Sequence, residues 1–206
     1  MDYLRCSDED VHRLVDDLYQ QIISSSYEPD SIIGIGSGGF IVLRLLLDRF
    51  RGAGIDTDYI PIVARLYTQL GERGELEISC PPDNIKGGRV LITDDVADTG
   101  TTINGVIEHY IPIVDETRVA TLHRKPQSRV VPDYYAGQTD KWIIYPWGVM
   151  ETTREIIEGR MGREIRVIEK ELKRAGISRE ELERFQKVLS PEDSLTGITR
   201  TLLGIY

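Results

Sequence analysis

The sequence predicts an α/β protein, with a parallel-sheet core over residues 1–150 and a C-terminal helical bundle over 151–206. Three observations predict it. Apolar runs at Ser31–Ile35, Tyr59–Val63, Val90–Ile92 and Thr117–Leu122 have the length of strands, and helical periodicity separates several of them. The run at Val90–Ile92 opens into a polar turn, DDVADTGTT (94–102), and an apolar helix pattern follows at Ile103, Val106, Ile107 and Tyr110. Acids at the carboxyl end of a buried strand point into the crevice where open α/β sheets bind ligands. Beyond residue 151 only helical stripes recur.

The whole chain narrows the function classes. Its 206 residues are enough for one sizeable core plus an appendage. A net charge of −9 argues against nucleic acid or an anionic membrane as partner. An anionic substrate then needs a local nest of donors and a divalent cation. Cys6 and Cys80 form no metal-spacing motif, which fits a reduced, cytoplasmic setting. His12, His109 and His123 are scattered and read as surface or packing residues. The N-terminus has no basic stretch leading into an apolar one, and no apolar run is long enough to span a bilayer.

Taken in order, Ser7 with Asp8, Glu9 and Asp10 starts a helix, whose stripe is Val11, Leu14, Val15, Leu18, Tyr19 and Ile22. Serines 24–26 and Pro29 end it. Ser31–Ile35 runs into a loop, Gly36-Ser37-Gly38-Gly39, and Phe40–Phe50 is helical. Gly34-x-Gly36-x-x-Gly39 has the form of a dinucleotide fingerprint. That reading requires an acid closing the second strand, whereas Asp56 and Asp58 stand before Tyr59–Val63. Pro61 lacks a ladder donor and places its strand at an edge. Ala64–Tyr67 and Glu75–Ser79 can pair as a hairpin across Gly71–Gly74. In the central turn, Asp94, Asp95 and Asp98 repel one another unless a cation or hydroxyl groups intervene. Thr99-Gly100-Thr101-Thr102 offers hydroxyls and backbone N–H groups at a helix N-terminus, which suits a phosphate monoester. A ribose 5-phosphate matches both halves.

Two acids, two intervening residues, an acid and Thr-Gly-x-Thr after a β-branched strand resemble the phosphoribosyl pyrophosphate signature of the type I phosphoribosyltransferases. The resemblance covers roughly Ile32–Trp147. It implies phosphoribosyl pyrophosphate and a purine base as substrates, magnesium as cofactor, and a homodimer. It implies that Asp94 and Asp95 hold the ribose hydroxyls and influence the metal, directly or through ribose and pyrophosphate. Asp98 would sit near the imidazole ring of the base as proton acceptor or stabiliser, and Thr99, Gly100, Thr101 and Thr102 would hold the 5-phosphate. Ser37, Gly38 and Gly39 fall where a glycine-bearing loop holds pyrophosphate; many relatives have a basic residue at the place of Ser37. Residues 64–79 fall where the family has its lid, with Arg65, Tyr67 and Arg73 as candidates to reach the ligand.

Residues 123–148 resemble the base-binding hood of the 6-oxopurine enzymes. Lys125 matches the lysine that donates to the 6-oxo group, Trp142 the aromatic that stacks on the purine, and Ile143 the residue whose backbone reads the base edge. Trp147 is expected in the core. Two lines then disagree about the base. Lys125 is a donor without acceptor capacity and suits a 6-oxo group. Gly148 stands where many 6-oxopurine enzymes have an acid, and the helical C-terminal third resembles the crenarchaeal-type adenine phosphoribosyltransferases. Adenine is narrowly expected, with hypoxanthine, guanine or xanthine as the alternative. A phosphoribosyl pyrophosphate-sensing regulator would need a basic DNA-binding portion that is missing, and the tryptophan-bearing hood disfavours a pyrimidine.

Three helices are expected at the C-terminus. Glu155–Ala175 carries Ile157, Met161, Ile165, Ile168 and Leu172 on one stripe. Ser178-Arg179-Glu180-Glu181 is a capping box that opens the second, with Leu182, Phe185 and Leu189. Ser190-Pro191 starts the third, with Leu195, Ile198 and Leu202.

Overall fold

The computed structural model describes residues 2–67, 75–79 and 88–205, and only the backbone of residues 65–67, 75–79 and Ile111. The elements are β1 (Tyr3–Arg5), α1 (Asp8–Ser24), β2 (Ser31–Ile35), α2 (Gly36–Gly52), β3 (Asp58–Tyr67), β4 (Glu75–Ser79), β5 (Arg89–Ala97), α3 (Thr101–Tyr110), β6 (Glu116–Arg124), β7 (Tyr134–Gln138), β8 (Trp142–Ile144), α4 (Val149–Glu158), α5 (Ile165–Arg174), α6 (Arg179–Val188) and α7 (Leu195–Leu203). They form two compact units, one of residues 10–140 and one of residues 1–9 with 141–206.

The first unit is built on a six-stranded sheet in the order β4-β3-β2-β5-β6-β7. All its pairs are parallel except β3 with β4. The expected strands at 31–35, 59–63, 90–92 and 117–122 are all present, and β5 and β6 run longer than their apolar cores. Alternation along the strands sorts the core onto two faces. Ile33, Ile35, Ile62, Val90, Ile92 and Val119 pack with Ile103, Val106 and Tyr110 of α3. Gly34 faces the other way, and a methyl group there would stand 3.0 Å from Leu43 Cδ1 and 2.9 Å from Gly39 O of α2. The two helices therefore cover opposite faces. Chain leaving β2 winds one way to β3, chain leaving β5 winds the other way to β6, and a crevice opens between their carboxyl ends.

Ala64–Tyr67 pairs with Glu75–Ile78, as the hairpin reading expects. Residues 68–74, with Arg73, and 80–87, with Cys80, lie outside the described residues. The edge expected at Pro61 is modified. β3 lies inside the sheet, but its ladder with β4 begins at Val63, so Pro61 pairs only with Gly34 of β2 among the described residues. The missing donor thus falls on a stretch with one neighbour.

The second unit joins the two ends of the chain. β1, which the sequence does not signal, pairs in parallel with β8 through Tyr3↔Trp142, Leu4↔Ile143 and Arg5↔Ile144. Ile144 enters a core with Val149, Ile156 and Ile157 of α4, Ile168 and Leu172 of α5, Leu182 and Phe185 of α6, and Leu195 and Leu203 of α7. Four helices replace the expected three. The span Glu155–Ala175 is broken because Gly159 closes α4, donating to Glu155 O at 2.9 Å, and Gly162 turns the chain with φ +80°. Met161 lies in that turn and is exposed rather than on the buried stripe. The last helix starts at Leu195 instead of Ser190-Pro191. Residues 190–193 make a turn (Asp193 N to Ser190 O, 3.1 Å), and Asp193 Oδ1 accepts from Leu195 N at 2.9 Å. Buried Glu171 is the charged centre of this unit, accepting from Tyr3 Oη at 2.8 Å, Arg160 at 3.1 Å and Arg174 at 3.3 Å. No helix among the described residues is long and apolar enough to cross a membrane.

The capping box at Ser178 forms as expected, with Glu181 N donating to Ser178 Oγ at 3.2 Å and Ser178 N to Glu181 Oε2 at 2.8 Å. Substituting Ser178→Ala leaves one of these donors without its acceptor. Urea unfolding should show the helical unit destabilised by about 1 kcal/mol.

Candidate functional site

The crevice between β2 and β5 is shaped by an unusually close approach of α2 to β5. The segment Gly36-Ser37-Gly38-Gly39, expected as a loop, is the first turn of α2, entered through Gly36 at φ +56°. A methyl group on Gly39 would overlap Thr93 O and lie 3.2 Å from Asp94 Cα. One on Gly38 would overlap the Asp95 carboxylate. Both glycines are thus demanded by β5, beyond any need of a tight turn. Thr93 locks the contact: its buried hydroxyl reaches Ile33 O at 3.0 Å and Gly39 O at 3.2 Å. The helix N-terminus, with exposed Ser37 and first-turn N–H groups that have no partner inside the helix, therefore lies against the Asp95 carboxylate.

Asp94 and Asp95 are partly buried neighbours on β5, and Asp95 N donates to Asp94 Oδ1 at 2.9 Å. Burial, and then the charge of Asp95, hold the Asp94 carboxyl well above the usual carboxylate range. An acid pair so strained electrostatically fits a cation or ribose hydroxyls as the compensating partner. Among the described residues no three His, Cys, Asp or Glu side chains converge as a metal cage. Two carboxylates are hard oxygen donors, of the kind that hold magnesium together with ligand oxygens.

The turn after β5 is pinned by the segment after β6. Lys125 N donates to Ala97 O at 2.9 Å and Arg129 N to Thr99 O at 3.0 Å. Gly100 has φ +80°, and a methyl group there would lie 2.8 Å from Val130 N, so no side chain fits. Thr99 Oγ1 accepts from Thr101 N at 3.3 Å and pairs with Thr101 Oγ1 at 3.1 Å, and α3 starts at Thr101 with Thr102 beside it. Exposed Asp98 accepts at Oδ1 from Gln127 Nε2 at 3.0 Å. Lys125 is buried (7 % exposed). Burial lowers the pKa of its amine, while the charges of Asp98 and Asp140 oppose that shift.

The structure thus gathers Ser37, Gly38, Gly39, Asp94, Asp95, Asp98, Thr99, Gly100, Thr101, Thr102 and Lys125 in the unit of residues 10–140. Trp142 and Ile143 belong to the other unit. There Trp142 is half exposed and lines a cavity of about 210 Å³ with Tyr3, Thr152, Glu155, Ile156 and Arg160. Trp142 N donates to Asp2 O at 2.9 Å, and Ile144 O accepts from Cys6 N at 3.0 Å. By alternation, the Ile143 backbone groups point away from β1, toward an edge that no described strand covers. Trp147 is partly buried and stacks on Tyr145 with ring centroids 4.7 Å apart. The side chains of Arg65 and Tyr67 lie outside the described residues. Sequence reasoning missed Thr93, Gln127 and the cavity partners of Trp142. Thr93 carried a signal, being polar between an apolar run and the acids; Gln127 carried none.

Two outcomes follow from the charges. A carboxyl with a raised folded-state pKa weakens the fold as pH climbs past its unfolded value, because the unfolded chain ionises first. Asp94→Asn should therefore raise the thermal midpoint at neutral pH, as read by calorimetry. His123 is held by burial, and then by the Lys125 and Arg13 charges, at a pKa of about 4. NMR titration should find its imidazole neutral down to that region. Its contribution to stability should decline as pH falls from about 6.5, the unfolded value, to about 4.

Comparison with known proteins bears on this crevice. A family model described as phosphoribosyl transferase domain matches residues 7–152. A purine phosphoribosyltransferase of Pyrococcus horikoshii Ot3 has a similar structure, with a TM-score of 0.62 and 35 % identity over 71 % of this chain and 94 % of that one. Two curated proteins of Saccharomyces cerevisiae are each 29 % identical. Xanthine phosphoribosyltransferase 1 aligns over 66 % of this chain and 85 % of its own length. Hypoxanthine-guanine phosphoribosyltransferase aligns over 75 % and 88 %.

Proposed function

The chain belongs to the phosphoribosyl transferase family, and we propose that within it this protein transfers the phosphoribosyl group of phosphoribosyl pyrophosphate to a 6-oxopurine. The products are the nucleoside monophosphate and pyrophosphate. The burial of Lys125 carries the choice of base. An adenine reading sends that lysine toward solvent or a phosphate. Instead it is enclosed, near the charge of Asp98. A lysine is a donor without acceptor capacity, so it suits a 6-oxo group, which accepts, and not a 6-amino group. The adenine expectation rested on Gly148 and the helical C-terminal third. A methyl group at Gly148 would meet nothing within 4 Å, so packing does not force glycine there. The compared relatives with a named base are xanthine and hypoxanthine-guanine enzymes.

In this reading catalysis is positioning and electrostatics, since cleavage to pyrophosphate leaves an oxocarbenium-like ribose. Asp94 and Asp95 accept from the ribose hydroxyls. The N–H groups of residues 37–39 receive the departing pyrophosphate at the α2 N-terminus, and Thr99–Thr102 hold the 5-phosphate. Asp98, oriented by Gln127, takes or stabilises the proton of the imidazole ring. The resemblance to the 6-oxopurine hood gives Trp142 the part of a stacking face and Ile143 that of a backbone reader of a base. Magnesium, when bound, neutralises the pyrophosphate, with Asp94 and Asp95 as the residues to hold it in part through ligand oxygens. A homodimer and a cytoplasmic setting complete the proposal.

Competition at equal concentrations, with magnesium and phosphoribosyl pyrophosphate present, tests the base. Hypoxanthine or guanine should be consumed well ahead of adenine, and Lys125→Met should lower kcat/KM for hypoxanthine by about ten- to a hundredfold. Preferential consumption of adenine by the unaltered protein would overturn the choice.

A further inference from the structure

Four threonines are completely buried: Thr93, Thr121, Thr153 and Thr199. Three of them donate to backbone carbonyls. Thr93 reaches Ile33 O and Gly39 O, Thr153 reaches Val149 O at 2.7 Å, and Thr199 reaches Leu195 O at 2.7 Å. Thr121 is the exception, and its Oγ1 has no hydrogen-bond partner among the described residues. A hydroxyl enclosed without an acceptor is costly, and a native protein keeps one where another state supplies the acceptor.

The register of the sheet says where that acceptor lies. Thr121 of β6 is the direct cross-strand neighbour of Asp94 of β5. In-register neighbours on adjacent strands share a face, and their side chains stand close enough to interact. Asp94 has the complementary deficit. One of its carboxylate oxygens accepts from Asp95 N, and the group is shielded from water beside a like charge. A donor without an acceptor therefore adjoins an acceptor short of donors. One staggered rotation about χ1 of Thr121 redirects its hydroxyl.

We infer that Thr121 is a positioning residue, whose hydroxyl donates to the Asp94 carboxylate in the substrate-bound enzyme and aims it at the ribose hydroxyls of phosphoribosyl pyrophosphate. The inference rests on the proposed role of Asp94. The contact directs one oxygen of Asp94 and leaves the other for ribose. It touches neither the base nor the phosphate turn, so its loss should appear in the use of phosphoribosyl pyrophosphate.

The test compares Thr121→Val, which keeps the shape and deletes the hydroxyl, with Thr121→Ser, which keeps the hydroxyl. In Thr121→Val, kcat/KM for phosphoribosyl pyrophosphate should fall about tenfold, the size of one hydrogen bond to a charged group. KM for the base should stay put, and the thermal midpoint should not fall, because the resting fold loses only an unpaired group. Thr121→Ser should recover most of the loss. In an Asp94→Asn background, which retains too weak an acceptor, adding Thr121→Val should change residual turnover by less than twofold. Full activity in Thr121→Val, or an equal tenfold loss with and without Asp94, overturns the inference while the role of Asp94 stands. Full activity in Asp94→Asn overturns that role and the inference with it.

Discussion

The contact between the first turn of α2 and the end of β5 is the constraint on which the crevice depends. A helix normally stands about 10 Å from a sheet because side chains fill the gap. Here glycines at 34, 38 and 39 remove them, and Thr93 ties strand and helix to each other through Ile33 O and Gly39 O. The N–H groups of a helix N-terminus are thereby brought against the Asp95 carboxylate. Donors for an anion and acceptors for hydroxyls then lie side by side, as a sugar carrying a pyrophosphate requires.

That arrangement is stable only because it is surrounded by structure that tolerates it. Beneath the crevice the sheet is buried on both faces, with Ile32, Ile33, Leu91 and Ile92 all fully enclosed. The segment after β6 clamps the turn that follows β5 through Ala97 O and Thr99 O. The rigid parts hold an electrostatically unfavourable pair, Asp94 beside Asp95, that folding alone would not select. In the function proposed above, substrate and cation supply the compensation, so binding should tighten the very region that the empty protein finds hardest to maintain.

Most of the fold core and of this crevice was readable from residue order, and the reasons are local. Strand, acids, turn and helix occur consecutively at 89–110, so a short window carries the whole arrangement. The glycines at 34–39 were also visible, though their purpose was not, because only the fold shows that β5 lies against them. Long-range features escaped. β1 has no periodicity to announce it, and its partner β8 lies at the far side of the chain. The break at residues 159–164 hid inside a stripe that stays in phase on both sides of two glycines. Gln127 reached Asp98 through the approach of two loops, which no spacing encodes. The base was hard to read from sequence because the burial of Lys125, on which the proposed 6-oxopurine reading leans, is a tertiary property: a lysine in sequence looks free to turn to water.

The pairing of β1 with β8 ties residues 3–5 to residues 142–144, which are synthesised much later. On the ribosome, Tyr3–Arg5 emerges long before Trp142–Ile144 exists, and α4–α7 are later still. The unit of residues 10–140 can collapse as it is synthesised, whereas the helical unit must wait for both termini. During that interval the N-terminal strand is an unpaired edge, open to aggregation or to capture by a neighbouring nascent chain. A fusion partner placed ahead of β1 therefore acts on a late step of folding, even though it adjoins a strand made early.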